Sequence, residues 1–382
     1  MSSLFDEDEE GGGAAEIERE IDAATPEELT PRTNPDLLGH ETVEQAVLDD
    51  FNAGKLPHAL ILAGPSGIGK TTLAFRLARF LFSQGGTQEA GLFGEPEKPT
   101  SLYTKPDSPV FRRVASGGHA DLITVEREFD EKRKRLKTEL TIEPIRLIHP
   151  FLSKTAAEGG WRIVIVDGAE YMNHSAQNAI LKILEEPPKN TLLILTTTQP
   201  GAFLPTIRSR CRLLRMEALP EKTMTALLDK MAPGIGAEDK KTLLRLSSGS
   251  IGKALQHHKD KAAGLYRELA KIVATLPDLD LVAVHELADK VSKQGAEQAY
   301  ETLRDIMTGW CERHVVQQAK GKEGEEVFLS LAGIYTPQHF FNAREKLIKL
   351  FLDAENYNLD KKQAVLAAFL TLQKPEYQGM AA

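Results

Sequence analysis

The amino-acid sequence predicts an α/β domain built on a parallel sheet, followed by helical units. Three observations carry that expectation. Short runs rich in Ile, Leu and Val alternate with amphipathic stretches over residues 31–217, and such alternation builds a parallel sheet with helices on both faces. The octet GPSGIGKT, Gly64–Thr71, stands between one of those runs and an amphipathic stretch. After Pro220 the strand-like runs cease and helical periodicity takes over.

Residues 1–30 hold eleven acids against one base, Arg19, so of the total charge of −8 the remainder of the chain carries about +2. This Gly-rich, charged opening predicts a disordered acidic tail, and the overall sign says nothing against a nucleic-acid partner. ALILAG (59–64), ADLITVE (120–126), RIVIVDG (162–168) and LLILTTT (192–198) have the length and composition of strands buried on both faces. Thr71–Phe82 spaces Leu73, Leu77 and Leu81 four apart as a helix does, and the helix expected over Ser175–Glu186 stops at Pro187-Pro188. Residues 83–118, with Gly and Pro and little periodicity, read as a long surface insertion. The expected division is an α/β domain over 31–217, a small helical unit over 218–262 and a larger helical one over 263–382.

A chain of 382 residues suits more than one core. Its opening lacks the basic start and apolar stretch of a secretion signal, and no run approaches the ~20 apolar residues of a membrane helix. Two cysteines, Cys211 and Cys311, cannot build a disulfide framework or a four-cysteine zinc site. A cytoplasmic protein without zinc or membrane partner is expected.

The pattern G-x-x-x-x-G-K-T is met by Gly64, Gly69, Lys70 and Thr71. Glycines, Gly67 among them, let backbone N–H groups turn inward around phosphate oxygens, and the following helix adds its positive end. Lys70 would reach the β and γ phosphates of ATP, the Thr71 hydroxyl would ligate Mg²⁺, and Thr72 completes the nucleotide-binding set. Asp167, closing RIVIVDG, suits the acid that holds the metal with Thr71. The next position, where a water-orienting Glu would sit, is Gly168; Glu170 is expected to point elsewhere. Binding is therefore expected and hydrolysis impaired.

In this order and spacing, GPSGIGKT, VDGAEYMNHSAQNAILKILEEPP, TTTQPGAFLPTIRSRC and GSIGKAL resemble the bacterial clamp loader subunits of the AAA+ class, most of all the delta-prime subunits of DNA polymerase III. The resemblance runs from about Asp36 to His258 and, more loosely, includes AENYNLDKKQAVLAAFL. It implies a RecA-like AAA+ P-loop domain over 31–217, a helical lid over 218–262 and a helical collar over 263–382. It also implies partners: motor ATPase subunits and delta in a hetero-pentamer that places a sliding clamp on primed DNA during replication. Position by position, it makes Asp167 the surviving acid of the second nucleotide motif, Thr197 or Thr198 the polar sensor, and Arg210 an arginine finger. A planar, always-charged guanidinium makes a two-pronged contact to a γ-phosphate, and such fingers raise cleavage by ~10³–10⁵.

Three departures qualify the resemblance. Motor subunits place an arginine where Gly252 stands in GSIGK, and they carry a four-cysteine zinc module in the region of 83–118, which holds no cysteine here. The intact phosphate loop departs the other way, since some delta-prime subunits have lost theirs. The implied protein is an ATP-binding, non-catalytic or weakly hydrolysing subunit that completes its neighbour's site. The alternative is a self-sufficient AAA+ ATPase, either the loader's motor or another DNA-processing enzyme; the gaps at Gly168 and Gly252 weigh against it.

Weaker signals remain. The four consecutive bases Lys132–Arg135 suit phosphate contacts but are flanked by acids, as in a solvated loop. Arg146, expected at the start of the following helix, is a better single candidate for a DNA backbone. His257 and His258 read as surface residues, Trp161 and Trp310 as packing residues.

Overall fold

The computed structural model describes residues 29–85, 98–130, 135–157, 160–321, 326–331 and 334–373. The acidic tail expected over 1–30, save its last two residues, lies outside them, as do Lys132–Lys134.

In chain order the first half runs α1 (Glu41–Asn52), β1 (Ala59–Ala63), α2 (Lys70–Gln84), α3 (Pro109–Ala115), β2 (Leu122–Val125), β3 (Phe129–Asp130), β4 (Arg135–Leu136), α4 (Ile142–Arg146), α5 (Ile148–Leu152), β5 (Arg162–Val166), α6 (His174–Glu185), β6 (Thr191–Thr197), α7 (Pro205–Arg210) and β7 (Arg212–Arg215). Five of the strands form one sheet in the order β2-β5-β6-β1-β7, every pairing parallel. β3 and β4 make a separate antiparallel ribbon.

Every residue of the central strands β1, β5 and β6 is buried, as their unbroken apolar runs require. Their side chains alternate between two cores, because successive residues of a strand point to opposite faces. Ile61, Val164, Val166, Leu193 and Leu195 meet Ile145 and Ile148 of α4 and α5 and Ile180 of α6. Leu60, Leu62, Ile163, Ile165 and Ile194 meet Val47 of α1 and Leu73, Leu77 and Leu81 of α2. Trp161 packs against this second core.

Part of the expected insertion over 83–118 is regular structure. Ser108 caps α3 by accepting from the Phe111 N–H (3.2 Å), Pro109 occupies its first turn, and Phe111 and Val114 are buried. Ser-Pro followed by two well-spaced apolar residues is a helix start that the glycines and prolines around it obscure. Arg146 ends α4 rather than opening a helix, and is exposed.

Beyond Pro220 come α8 (Glu221–Met231), α9 (Ala237–Ser247), α10 (Ile251–Lys259), α11 (Ala262–Val273), α12 (Leu281–Ser292), α13 (Glu297–Ala319), α14 (Pro337–Asn356) and α15 (Lys361–Gln373). Leu219, Met224, Leu227, Leu228 and Ala254 form a small core shared by α8 and α10. The larger core of α11–α15 centres on Trp310, fully buried and edge-on to Tyr266 with ring centroids 5.1 Å apart. His257, expected on the surface, is buried, and that desolvation holds its pKa below the usual imidazole value; His258 is exposed. Among the described residues no helix is long and apolar enough to cross a membrane, and no group of three metal-ligating side chains comes together.

Candidate nucleotide-binding site

A parallel sheet gathers the loops that follow its strands at one end, and ligands bind there. Here β6 lies between β1 and β5. The loop after β1, the end of β5 and the end of β6 therefore converge on a cavity of about 890 Å³, lined among others by Gly67, Gly69, Lys70, Thr71, Thr72, Asp167, Thr197 and Thr198. The phosphate-loop pattern, Asp167 and the threonine strand, separate in the sequence, share this one site.

Gly64 leaves β1 with its N–H bonded to the Thr197 carbonyl (3.1 Å), and Gly69 precedes the first turn of α2. Lys70, 7% exposed, donates to the carbonyls of Gly64 (2.8 Å) and Pro65 (2.5 Å), so the loop curls around its own ammonium group. Burial holds the Lys70 pKa below the ordinary lysine value; the nearby carboxylates of Glu170 and then Asp167 pull the other way. The Thr71 hydroxyl donates to Asp167 Oδ1 (2.7 Å), and the Thr196 hydroxyl donates to the same oxygen. A hydroxyl and a carboxylate already in contact are a donor pair that suits a hard, oxygen-seeking cation such as Mg²⁺.

Thr196 is a residue that sequence reasoning missed. Val166 pairs with Leu195, so the next position on each strand sets Asp167 against Thr196. Thr197, one residue on, is buried and its hydroxyl accepts from the Gln199 N–H (3.0 Å). Thr198 instead donates through both its N–H (3.1 Å) and its hydroxyl (2.8 Å) to Glu170 Oε1. Glu170, expected to point elsewhere, thus lines the cavity. A run of three threonines does not reveal which one faces the acid; only the register does.

The start of α10 closes on the phosphate loop. Ser250 Oγ donates to the Ser66 carbonyl (2.7 Å) and the Gly252 N–H donates to the Gly67 carbonyl (2.9 Å). A Cβ on Gly252 would lie 2.9 Å from the Cα of Gly67, and one on Gly67 would lie 2.5 Å from Ser250 Oγ. This docking admits no side chain at 252, where the resemblance leads one to look for an arginine.

Arg210 lies outside the cavity lining, at the end of α7. It is paired with Glu185 (3.1 Å), donates to the Thr206 carbonyl (3.2 Å), and its side chain is 36% exposed. Its neighbour Cys211 is buried, which pushes the thiol up to about 12, so it is a packing residue and not a nucleophile. Arg127, which the sequence reading passed over, lines the cavity with its guanidinium 3.6 Å from the ring centre of Tyr171.

The family described as DNA polymerase III, delta subunit, matches residues 39–220. The delta-prime subunit of Pseudomonas aeruginosa is 34% identical over 219 residues, 56% of this chain and 59% of that subunit. That of Escherichia coli K12 is 29% identical over 211 residues, 55% of this chain and 57% of its own length. Over this segment the chain is similar to the delta-prime subunits of DNA polymerase III. It also resembles the gamma/tau subunit of Mycobacterium bovis, 28% identical over 287 residues, 73% of this chain and 46% of that one. The chain spans under two thirds of the length of each of these relatives. The matched segment contains Gly64–Thr71, Asp167, the threonines of β6 and Arg210.

Proposed function

We propose that this protein is a delta-prime-like subunit of the DNA polymerase III clamp loader, which binds ATP with Mg²⁺ in its own cavity and lends Arg210 to a neighbouring ATPase subunit. In this reading residues 31–217 are the nucleotide domain, 218–262 the lid and 263–382 the collar that joins the subunits. The partners are the motor subunits and delta, and through them the sliding clamp and primed DNA in the cytoplasm; Arg146, exposed, is a candidate for a backbone phosphate. Thr71 and Asp167 hold the Mg²⁺, which when bound screens the charge of the phosphates. Lys70 turns from its loop carbonyls to the β and γ phosphates, and the N–H groups of the loop contact the remaining oxygens.

One observation carries the assignment: Lys70, Thr71 and Asp167 line the cavity, whereas Arg210 stands outside its lining and is part exposed. An arginine finger placed there serves another protomer's nucleotide rather than its own. Glu185 holds the guanidinium ready at little cost, since an exposed pair contributes only ~0–1 kcal/mol. The test is ATP hydrolysis by the reassembled loader on primed DNA. Arg210→Ala slows the rate by at least ~10³-fold at the site it completes, while assembly, read by gel filtration, is unchanged. An unchanged rate contradicts the assignment.

The second reading, a self-sufficient ATPase, draws on the intact phosphate loop. Against it stands Gly252, whose contact with Gly67 leaves no room for a lid arginine.

A further inference from the structure

The glutamate expected beside Asp167 is missing from position 168, where the backbone takes a conformation that strains any side chain. Gly168 has φ +67°, in the left-handed region, its N–H is bonded to Thr196 Oγ1 (3.1 Å), and an added Cβ would lie 3.1 Å from the Tyr171 ring. A glutamate would have to leave that conformation and push the ring aside.

The same left-handed residue turns the chain into a single 3₁₀ turn, Ala169–Tyr171, which carries Glu170 to the end of β6. There Glu170 Oε1 accepts two hydrogen bonds from Thr198, through N–H and hydroxyl. Its other oxygen, Oε2, is buried with no hydrogen-bond partner among the described residues. A buried carboxylate oxygen without a hydrogen bond is destabilising, so its retention calls for an explanation. Asp167, by contrast, has Oδ1 engaged by Thr71 and Thr196. Both carboxylates line the cavity and act on the same ammonium group of Lys70.

We propose that Glu170 supplies, from two positions further along, the water-orienting carboxylate that position 168 lacks. The inference rests on the reading of the cavity as an ATP site. Thr198 fixes one oxygen of the carboxylate; the other, covered in this structure, has no partner to hold it back and turns to a water in the cavity that Glu170 lines. That water's oxygen attacks the γ-phosphorus and the bond from phosphorus to the β,γ-bridging oxygen breaks. The electron pair leaves with ADP, and Glu170 takes the proton that water sheds and later returns it to solvent. ATP and water become ADP, phosphate and a proton. The protein then turns over ATP slowly on its own, since the arginine that would complete its site belongs to another chain.

The test is single-turnover hydrolysis of γ-labelled ATP with Mg²⁺ by an excess of the full-length chain, with ATP affinity measured separately. Glu170→Gln keeps an acceptor for Thr198 and the side chain's shape, so its melting temperature and ATP affinity stay as in wild type. Its rate falls about 10²-fold, and Glu170→Asp recovers part of the loss. A Glu170→Gln rate equal to wild type overturns the proposal. So does a wild-type rate no higher than that of Asp167→Asn while ATP is bound. Failure of the wild-type chain to bind ATP at all refutes the nucleotide site itself, and the proposal with it.

Discussion

The two halves of this molecule bury different things. Lys70, Arg76, Arg79, Asp121 and Arg162 are buried in the sheet half; beyond residue 217 no Asp, Glu, Lys or Arg among the described residues is. The buried charges have partners. Arg76 donates to Glu44 and the Pro35 carbonyl, and Arg162 to the carbonyls of Phe151 and Lys154. Arg79 donates to the carbonyls of Arg32 (2.8 Å) and Asn34 (2.9 Å) and lies over Phe111, and its burial brings its pKa down to about 10. Burying a charge is costly unless it is paired, so the half that bears this cost is the half with a site to shape. The helical half is held by aromatic and aliphatic packing around Trp310, Phe328 and Phe351, which suits a scaffold.

The contrast breaks most readily at Trp310. Trp310→Ala costs about 3–5 kcal/mol by urea unfolding, yet the folded protein keeps its ATP affinity; a lost affinity would show that the helical core shapes the site. Arg79→Leu is the counterpart. It orphans two carbonyls of the segment that carries Asn34 and Asp36 to the cavity wall, so it costs about 2–3 kcal/mol and weakens ATP binding as well. Stability and binding thus move together in the sheet half and separately in the helical one.

Gly252→Ala probes the seam between phosphate loop and α10. Overpacking a contact of 2.9 Å costs about 1–3 kcal/mol and appears as a lower melting temperature. An unchanged value would mean that the docking is loose.

The smallest effect is a pH dependence. Burial lowers the pKa of His257 in the folded state, so the unfolded chain binds the proton more readily. The stability that neutral His257 contributes is complete above its unfolded pKa, near 6.5, and is lost as pH falls through that value toward the folded one. Replacing it with Asn should flatten the fall in melting temperature between pH 7 and roughly pH 5.5; an equally steep fall would place the titration elsewhere.

Much of the site was legible because its parts are local. Gly64–Thr71 lies between a strand and a helix that its own periodicity declares, and Asp167 closes an unbroken apolar run. What escaped is non-local or depends on one backbone angle. Thr196 meets Asp167 only through the register of β6 on β5, which no single strand encodes. Glu170 reaches the cavity because Gly168 is left-handed, whereas counting residues along a regular path aims it away. The Gly67–Gly252 contact joins positions 185 residues apart, and a glycine in the place of an arginine reads as a loss until the contact it permits is seen.

Titration calorimetry of ATP with Mg²⁺ into the full-length protein tests the central claim, a triphosphate held between Lys70, Thr71 and Asp167. One site per chain is predicted for the wild type, and Lys70→Ala, which loses a charged hydrogen bond of about 1.5–3 kcal/mol, should bind about 10–100-fold more weakly. No binding by the wild type, or equal binding by both, contradicts the account.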